Sequence, residues 1–300
     1  MDSWGSGSLR ITAGIVFVFL FSPSLMPQAT APGPSPGSDA DQKPRTVLIS
    51  VDPSDTDLSP ADVELKQNGK LAEVSKVRKL GRIPVHYCVL VDISGSRREQ
   101  LEFERKSVLA VLDGVVKPGI DHGWVLLFND RKQESTETTN PQALWKVVLN
   151  ERAQGATNLD DAVESCASRM LKGEGEKGDE LRTMFLFTDG EDDSSHVTGR
   201  EAMDRSINTG LRIYVSLPDH LSERADHMMS MFTKGTGGRM FQADINGAVK
   251  RISRDLDGLA ELTYAPISGS ENTNRIALEV RSRRKGLRIL APQNVAAQQP

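Results

Sequence analysis

Residues 85–96 read Val85-His86-Tyr87-Cys88-Val89-Leu90-Val91-Asp92-Ile93-Ser94-Gly95-Ser96. The first seven form a short, nearly continuous apolar run, as expected of a buried strand. Asp92, Ser94 and Ser96 follow at once, spaced by single residues on the loop that must leave that strand. Downstream, Leu101, Val108, Leu109, Leu112 and Val116 recur at helical spacing. Gly123 to Phe128 reads as a second strand. Arg131 to Thr139 is polar and fits a hairpin or edge strand. Asn140 and Pro141 suit an N-cap and first-turn position for a helix carrying Leu144, Val147 and Val148.

The alternation continues. A helix is expected from Asn158, with Leu159, Ala162, Val163, Cys166 and Met170 on its buried side. A charged, Gly-rich loop spans Lys172 to Asp179. Arg182 to Thr188 is apolar enough for a strand covered on both faces. Thr198 can cap a helix ending at Gly210. A strand follows at Leu211 to Leu217, a Met-rich helix at Leu221 to Lys234, a strand at Arg239 to Gln242, and a last helix from Asn246 to about Glu261. Such alternation over 82–261 predicts an α/β fold, a doubly wound and mainly parallel Rossmann-like sheet. About six strands are expected, with 85–91 and 182–188 adjacent at the centre.

The flanks read differently. Segment 45–81 holds short strands at Thr46 to Val51 and Ala61 to Lys66. Segment 262–300 is a β segment and tail in which Ile276, Leu278 and Val280 alternate with polar neighbours. Together they predict a small β-rich flanking unit. Residues 1–31, with Arg10, the apolar run Ile11 to Phe21 and the triplet Ala29-Thr30-Ala31, have the layout of a signal peptide. An uncleaved N-terminal anchor is the alternative, and the only membrane attachment the sequence suggests. Residues 32–44 read as a disordered linker. The expected location is secreted, periplasmic or otherwise in the cell envelope.

The chain has 300 residues, 38% of them hydrophobic, with 41 acids against 37 bases and a net charge of -4. Such a balance, with few aromatics, argues against a nucleic-acid binder. Cys88 and Cys166 form no C-x-x-C pair; one disulfide and two buried thiols both remain open. His86, His122, His196, His220 and His227 are scattered and form no H-E-x-x-H motif. No nucleophile elbow, P-loop or dinucleotide fingerprint is present. An aspartyl phosphatase would want an acid at Ser94. The chain is therefore read as no enzyme, a metal-dependent hydrolase being the lesser alternative.

Three loops carry the chemistry: Asp92-Ile93-Ser94-Gly95-Ser96, Gly155-Ala156-Thr157-Asn158 and Thr188-Asp189-Gly190. Their donors are two carboxylates and three hydroxyls, hard oxygens that suit Mg²⁺, Mn²⁺ or Ca²⁺ rather than zinc or copper. Ligands of a doubly wound sheet gather at the carboxyl ends of its strands. Two neighbouring features have bland readings: Arg97 and Arg98 pointing to solvent, and Glu191-Asp192-Asp193 as a solvated loop.

Asp92-x-Ser94-x-Ser96, the isolated Thr157 and the Asp189 of Thr-Asp-Gly resemble the metal-ion-dependent adhesion site of von Willebrand factor type A domains. The stretch 46–80, Thr236 to Phe241, and Arg284-Lys285-Gly286 with Ala291-Pro292 are similar to a group of bacterial exported proteins related to that family. The resemblance implies a divalent cation, Mg²⁺ first, on Asp92, Ser94, Ser96, Thr157 and Asp189. It implies direct bonds from the two serines, Thr157 bound directly or through water, and the acids anchoring the ion or its waters. One position would stay open for an Asp or Glu of a protein partner. A structural envelope component, with the metal only stabilising the fold, is the other reading. Arg97 and Arg98 depart from the family pattern, which has Met after the second serine.

Overall fold

Side-chain alternation fixes which surface each strand must hide. The computed structural model describes residues 43–172, 180–218, 221–267 and 274–297. The expected signal at 1–31, the linker apart from 43–44, and the loop beyond Lys172 lie outside them. The N-terminal flank forms β1 (Arg45–Asp52), β2 (Val63–Gln67), β3 (Lys70–Ala72) and β4 (Val74–Lys79). Then follow β5 (Val85–Asp92), α1 (Leu101–Gly114), β6 (His122–Phe128), β7 (Lys132–Glu134), α2 (Pro141–Leu149), α3 (Leu159–Lys172) and β8 (Leu181–Phe187). The alternation ends with α4 (Gly199–Asn208), β9 (Arg212–Leu217), α5 (Glu223–Thr236), β10 (Arg239–Gln242) and α6 (Ile245–Asp257). β11 (Leu259–Tyr264), β12 (Arg275–Ser282), β13 (Arg288–Leu290) and β14 (Asn294–Ala296) close the described chain.

Six strands make the central sheet in the order β10-β9-β8-β5-β6-β7. All neighbours are parallel except β7, which returns antiparallel along the β6 edge. β5 and β8 are adjacent at the centre, as the apolar runs predict. Every residue of β5 and β6 is buried, so each strand has two covered faces. On one face Val85, Tyr87, Val89 and Val91 meet α1, α2 and α6 through Val108, Leu112, Leu144, Val148 and Ile252. On the other, Cys88 and Leu90 meet α3, α4 and α5 through Ala162, Cys166, Met203 and Phe232. Cys88 and Cys166 are free, buried thiols within this second core. Burial, and then the neighbouring Cys166 thiol, push the Cys88 thiol well above its ordinary value.

The flanks form two further four-stranded sheets, β13-β1-β11-β4 and β14-β12-β2-β3. Antiparallel pairing of β1 with β11 and of β2 with β12 ties one flank to the other. Val47, Ile49, Leu65, Leu262, Tyr264, Ile276 and Leu278 build their shared core. One boundary differs from expectation. The last helix stops at Asp257, so Leu259 to Glu261 are strand, not helix. Ala260, Leu262 and Tyr264 turn the same way into the flank core, a period of two that a helix cannot satisfy.

Candidate metal centre

β5 ends at Asp92 and β8 at Phe187, so their following loops emerge side by side at the carboxyl end of the sheet. Asp92 is fully buried. Its Oδ1 accepts the Ser94 N–H at 2.9 Å, and its Oδ2 accepts the Thr188 hydroxyl at 2.8 Å. The Ser94 and Ser96 hydroxyls lie 3.0 Å apart. Ser96 donates to Asp189 Oδ2 at 2.8 Å. Four of the five expected ligands thus form one chain of hydrogen bonds. Thr157 is 2% exposed, in the loop that meets theirs where the Gly95 N–H donates to the Gly155 carbonyl at 2.9 Å. Gly155 has φ +82, and a Cβ there would meet Asp130 Oδ1 at 2.6 Å. Only glycine fits that junction easily.

The array is graded. Asp92, Ser94 and Thr157 are buried, Asp189 is partly exposed and Ser96 is exposed, so the oxygens open on one side. Burial raises the Asp92 carboxyl to about 6 against the pull of its Ser94 and Thr188 hydrogen bonds. A bound dication would replace the solvation that burial removed. The spacing fits an ion as well. An octahedron with Mg–O bonds of about 2.0–2.1 Å has edges near ~2.9 Å, close to the observed Ser94–Ser96 and Ser96–Asp189 separations. All five residues therefore fit a hard dication in donor type, and Ser94, Ser96 and Asp189 fit it in spacing.

Two neighbours overturn the bland expectations. Arg97 does not point to solvent: it is 2% exposed. Its Nε donates to Glu104 Oε1 at 2.7 Å, and its Nη1 lies 3.7 Å from Asp189 Oδ2. A buried guanidinium needs a carboxylate, and Glu104, one turn into α1, supplies it. Burial pushes the Glu104 carboxyl up, and the charge and hydrogen bond of Arg97 oppose that shift and favour the ionised pair. Arg98 is exposed, as expected. The run Glu191-Asp192-Asp193 is not merely solvated. Asp192 Oδ1 accepts the Leu159 N–H at 2.8 Å, capping α3 from another loop. Glu191 accepts the Ser222 hydroxyl, and the Asp193 N–H donates to the Thr157 carbonyl at 2.9 Å. The acidic run thereby ties the Thr157 loop to the Asp189 loop.

A second group of ligating side chains stands at the opposite, amino end of the sheet. His86, His122 and Glu180 place their ligand atoms within 4.8 Å of one another. Reading the histidines along the chain misses this, because His86 and His122 are 36 positions apart. The parallel register of β5 and β6 makes them cross-strand partners. The available signal was positional: each is a polar residue at the start of an apolar strand run.

No family model matches the chain, and no curated protein does. Among solved structures, proximal thread matrix protein 1 from the mussel byssus is 12% identical, with a TM-score of 0.50 over 61% of this chain and 49% of that one. The chain thus spans about half of the mussel protein's length. A von Willebrand factor type A structure from Catenulispora acidiphila is 10% identical over 85% of this chain and 74% of that one, at a TM-score of 0.49. BatB from Bacteroides thetaiotaomicron is 15% identical over 57% and 97%, at 0.48. At such identities the likeness concerns fold alone. A mostly parallel sheet with helices on both faces gives this chain a Rossmann-like fold, similar in outline to that of the mussel protein.

Proposed function

We propose that this chain is a non-catalytic, divalent-cation-dependent protein-binding module acting outside the cytoplasm. Asp92, Ser94, Ser96, Thr157 and Asp189 hold the ion, and an Asp or Glu of a protein partner completes its shell. The observation that carries this reading is the hydrogen-bonded oxygen array, spaced as octahedral edges and open on the Ser96–Asp189 side. With neutral hydroxyls bonding the ion directly and the two acids anchoring it or its waters, the direct shell carries little charge, and the dication stays electrophilic toward a partner carboxylate. Arg97 beside Asp189 does not cancel this attraction, because Glu104 balances its charge within the fold. Mg²⁺ is the first choice of ion, with Mn²⁺ and Ca²⁺ compatible with the same donors.

The signal-like residues 1–31 support an extracytoplasmic location. Among the described residues no helix is long and apolar enough to cross a membrane. The test is a partner search in extracts with Mg²⁺, repeated with chelator, joined to calorimetric titration of the purified chain with Mg²⁺. Capture that needs the metal and is lost in Ser94→Ala supports the reading. Metal binding with no metal-dependent partner would leave the ion a purely structural role. Equal Mg²⁺ binding by the intact and Ser94→Ala proteins would remove the site.

A further inference from the structure

The amino ends of β5, β6 and β8 carry side chains of a different chemistry from the loops at their carboxyl ends. His86 and His122 occupy facing positions of adjacent parallel strands. Their rings stack with centroids 4.3 Å apart and planes 15° from parallel. Glu180 precedes β8 and shares residue parity with Arg182 and Met184. Facing positions of parallel strands point to the same side of the sheet. The histidines and Glu180 therefore lie on one face, the one that carries α3 and α4. Glu137 arrives from the segment after β7, held by the bridge between Thr138 and Gly123.

The distances define a small cage. Glu137 Oε1 is 3.4 Å from His122 Nε2 and 3.7 Å from His86 Nε2. Glu180 Oε2 is 3.8 Å from His122 Nε2. A tetrahedron of zinc–nitrogen and zinc–oxygen bonds of about 2.0–2.2 Å has edges of roughly 3.3–3.6 Å. All three separations lie within about half an ångström of that range. A good N–H···O bond is shorter, about 2.7–3.2 Å, so the group is spaced more like ligands around a common centre. The imidazole side chains are 10% exposed, Glu180 21% and Glu137 34%, which gives buried ligands and an entry path. Trp124, tilted against His86 at 5.3 Å between ring centroids, fixes that ring and carries Arg169 on its own face. Arg182, the next residue on this face of β8, donates to the Thr209 carbonyl at 2.8 Å.

We infer that His86, His122 and Glu180 form a second metal site, of the zinc class, at the amino end of the sheet, with Glu137 beside it. Two imidazoles and a carboxylate suit zinc and its transition-metal neighbours and disfavour Mg²⁺, which wants an all-oxygen octahedron. Three ligands come from the amino ends of the strands, and Glu137 or water fills the fourth tetrahedral position around the ion. The ion clamps the starts of three strands. The site does not depend on the adhesion-type centre, since the two sets share no residue.

The test is calorimetric titration of the full chain with zinc chloride in excess Mg²⁺, so that the oxygen site is already filled. One zinc per chain is expected. Ser94→Ala should leave its affinity unchanged, whereas His86→Gln and His122→Gln should each weaken it by about 10–100-fold or more. Glu180→Gln, at a partly exposed position, should weaken it by about tenfold and serves if a histidine variant misfolds. In the intact chain, zinc should also shift the imidazole nitrogen signals of His86 and His122 and leave those of His196 and His227 in place. No zinc uptake by the intact chain overturns the proposal. So does uptake that survives both histidine variants, or zinc signals confined to the other histidines.

Discussion

The two ends of one sheet offer metals opposite invitations. At the carboxyl end, the loops after β5 and β8 present only oxygens, graded from the buried Asp92 to the exposed Ser96. At the amino end, the same two strands and β6 begin with imidazoles and a carboxylate. The difference follows from where the chain is free to vary. Strand interiors buried on both faces must be apolar, and in β5 they are, from Tyr87 to Val91. Polar chemistry is pushed to the ends, where loops and solvent accept it. The carboxyl end is built from three short loop motifs, each directly beside a strand or helix. The amino end is assembled only by register between strands far apart in sequence.

The largest effect that separates the two ends comes from Ser94→Ala. It removes a hydroxyl from the oxygen array with little change in volume, and should weaken Mg²⁺ binding by at least about 100-fold without disturbing zinc uptake. Calorimetry with each metal in turn checks this, and a parallel loss of both metals would mean the two ends are not independent. A smaller effect should follow from the Arg97–Glu104 pair. Glu104→Gln leaves a guanidinium unbalanced 3.7 Å from Asp189 and should weaken Mg²⁺ binding by about tenfold. Replacing both residues, Arg97→Met with Glu104→Gln, should restore the affinity or exceed it. If the double variant binds as poorly as the single one, Arg97 does not act on the site through its charge.

Below these stands Asp192→Ala. Asp192 caps α3 from the loop after β8, and loss of a cap costs about 1 kcal/mol. For a domain of this size that is a fall of about 2–4 °C in Tm, read by thermal unfolding. It should come with weaker Mg²⁺ binding, because the same loop holds Thr157 through Asp193. An unchanged Tm with unchanged metal affinity would show that the acidic run is the solvated loop its composition suggests.

The sheet was legible because its signals are local and dense. The runs at 85–91 and 182–188 each hold enough consecutive apolar residues to demand two covered faces, and the two strands pair at the centre. The three oxygen-bearing loops were legible for a related reason: each abuts a strand or helix whose period is clear. Arg97 was not, because its partner Glu104 lies seven residues on, and burial of an ion pair leaves no periodic trace. Asp192 was missed as a cap because capping is ordinarily sought within a few residues of the helix it serves. His86 and His122 meet only through parallel register, which sequence spacing does not encode. Leu259 to Glu261 were read as helix because the alternation of Ala260, Leu262 and Tyr264 begins only two residues after Gly258.

The last effect, which vanishes toward pH 4, tests how far the carboxyl end is strained by its own acids. Asp160, in the first turn of α3, is 5% exposed. Burial, then the charge of Asp192, raise its carboxyl from 3.8 to about 7, with Arg224 opposing them. The native state therefore binds this proton more tightly than the unfolded chain does between those two values. The stability this group contributes is largest in acid and falls as pH rises from about 4 to about 7. Asp160→Asn removes the titration. With metal chelated, the variant should melt about 2–4 °C above the parent at pH 8, and the gap should shrink steadily toward pH 4. The amide keeps the shape of the carboxyl and can still meet Arg224's neighbourhood without a charge, so a gap that stays constant with pH would point to packing instead. A variant less stable at pH 8 would mean that the carboxylate is held by favourable contacts that outweigh its burial, and the crowding of acids around α3 would then stabilise the loop instead of straining it.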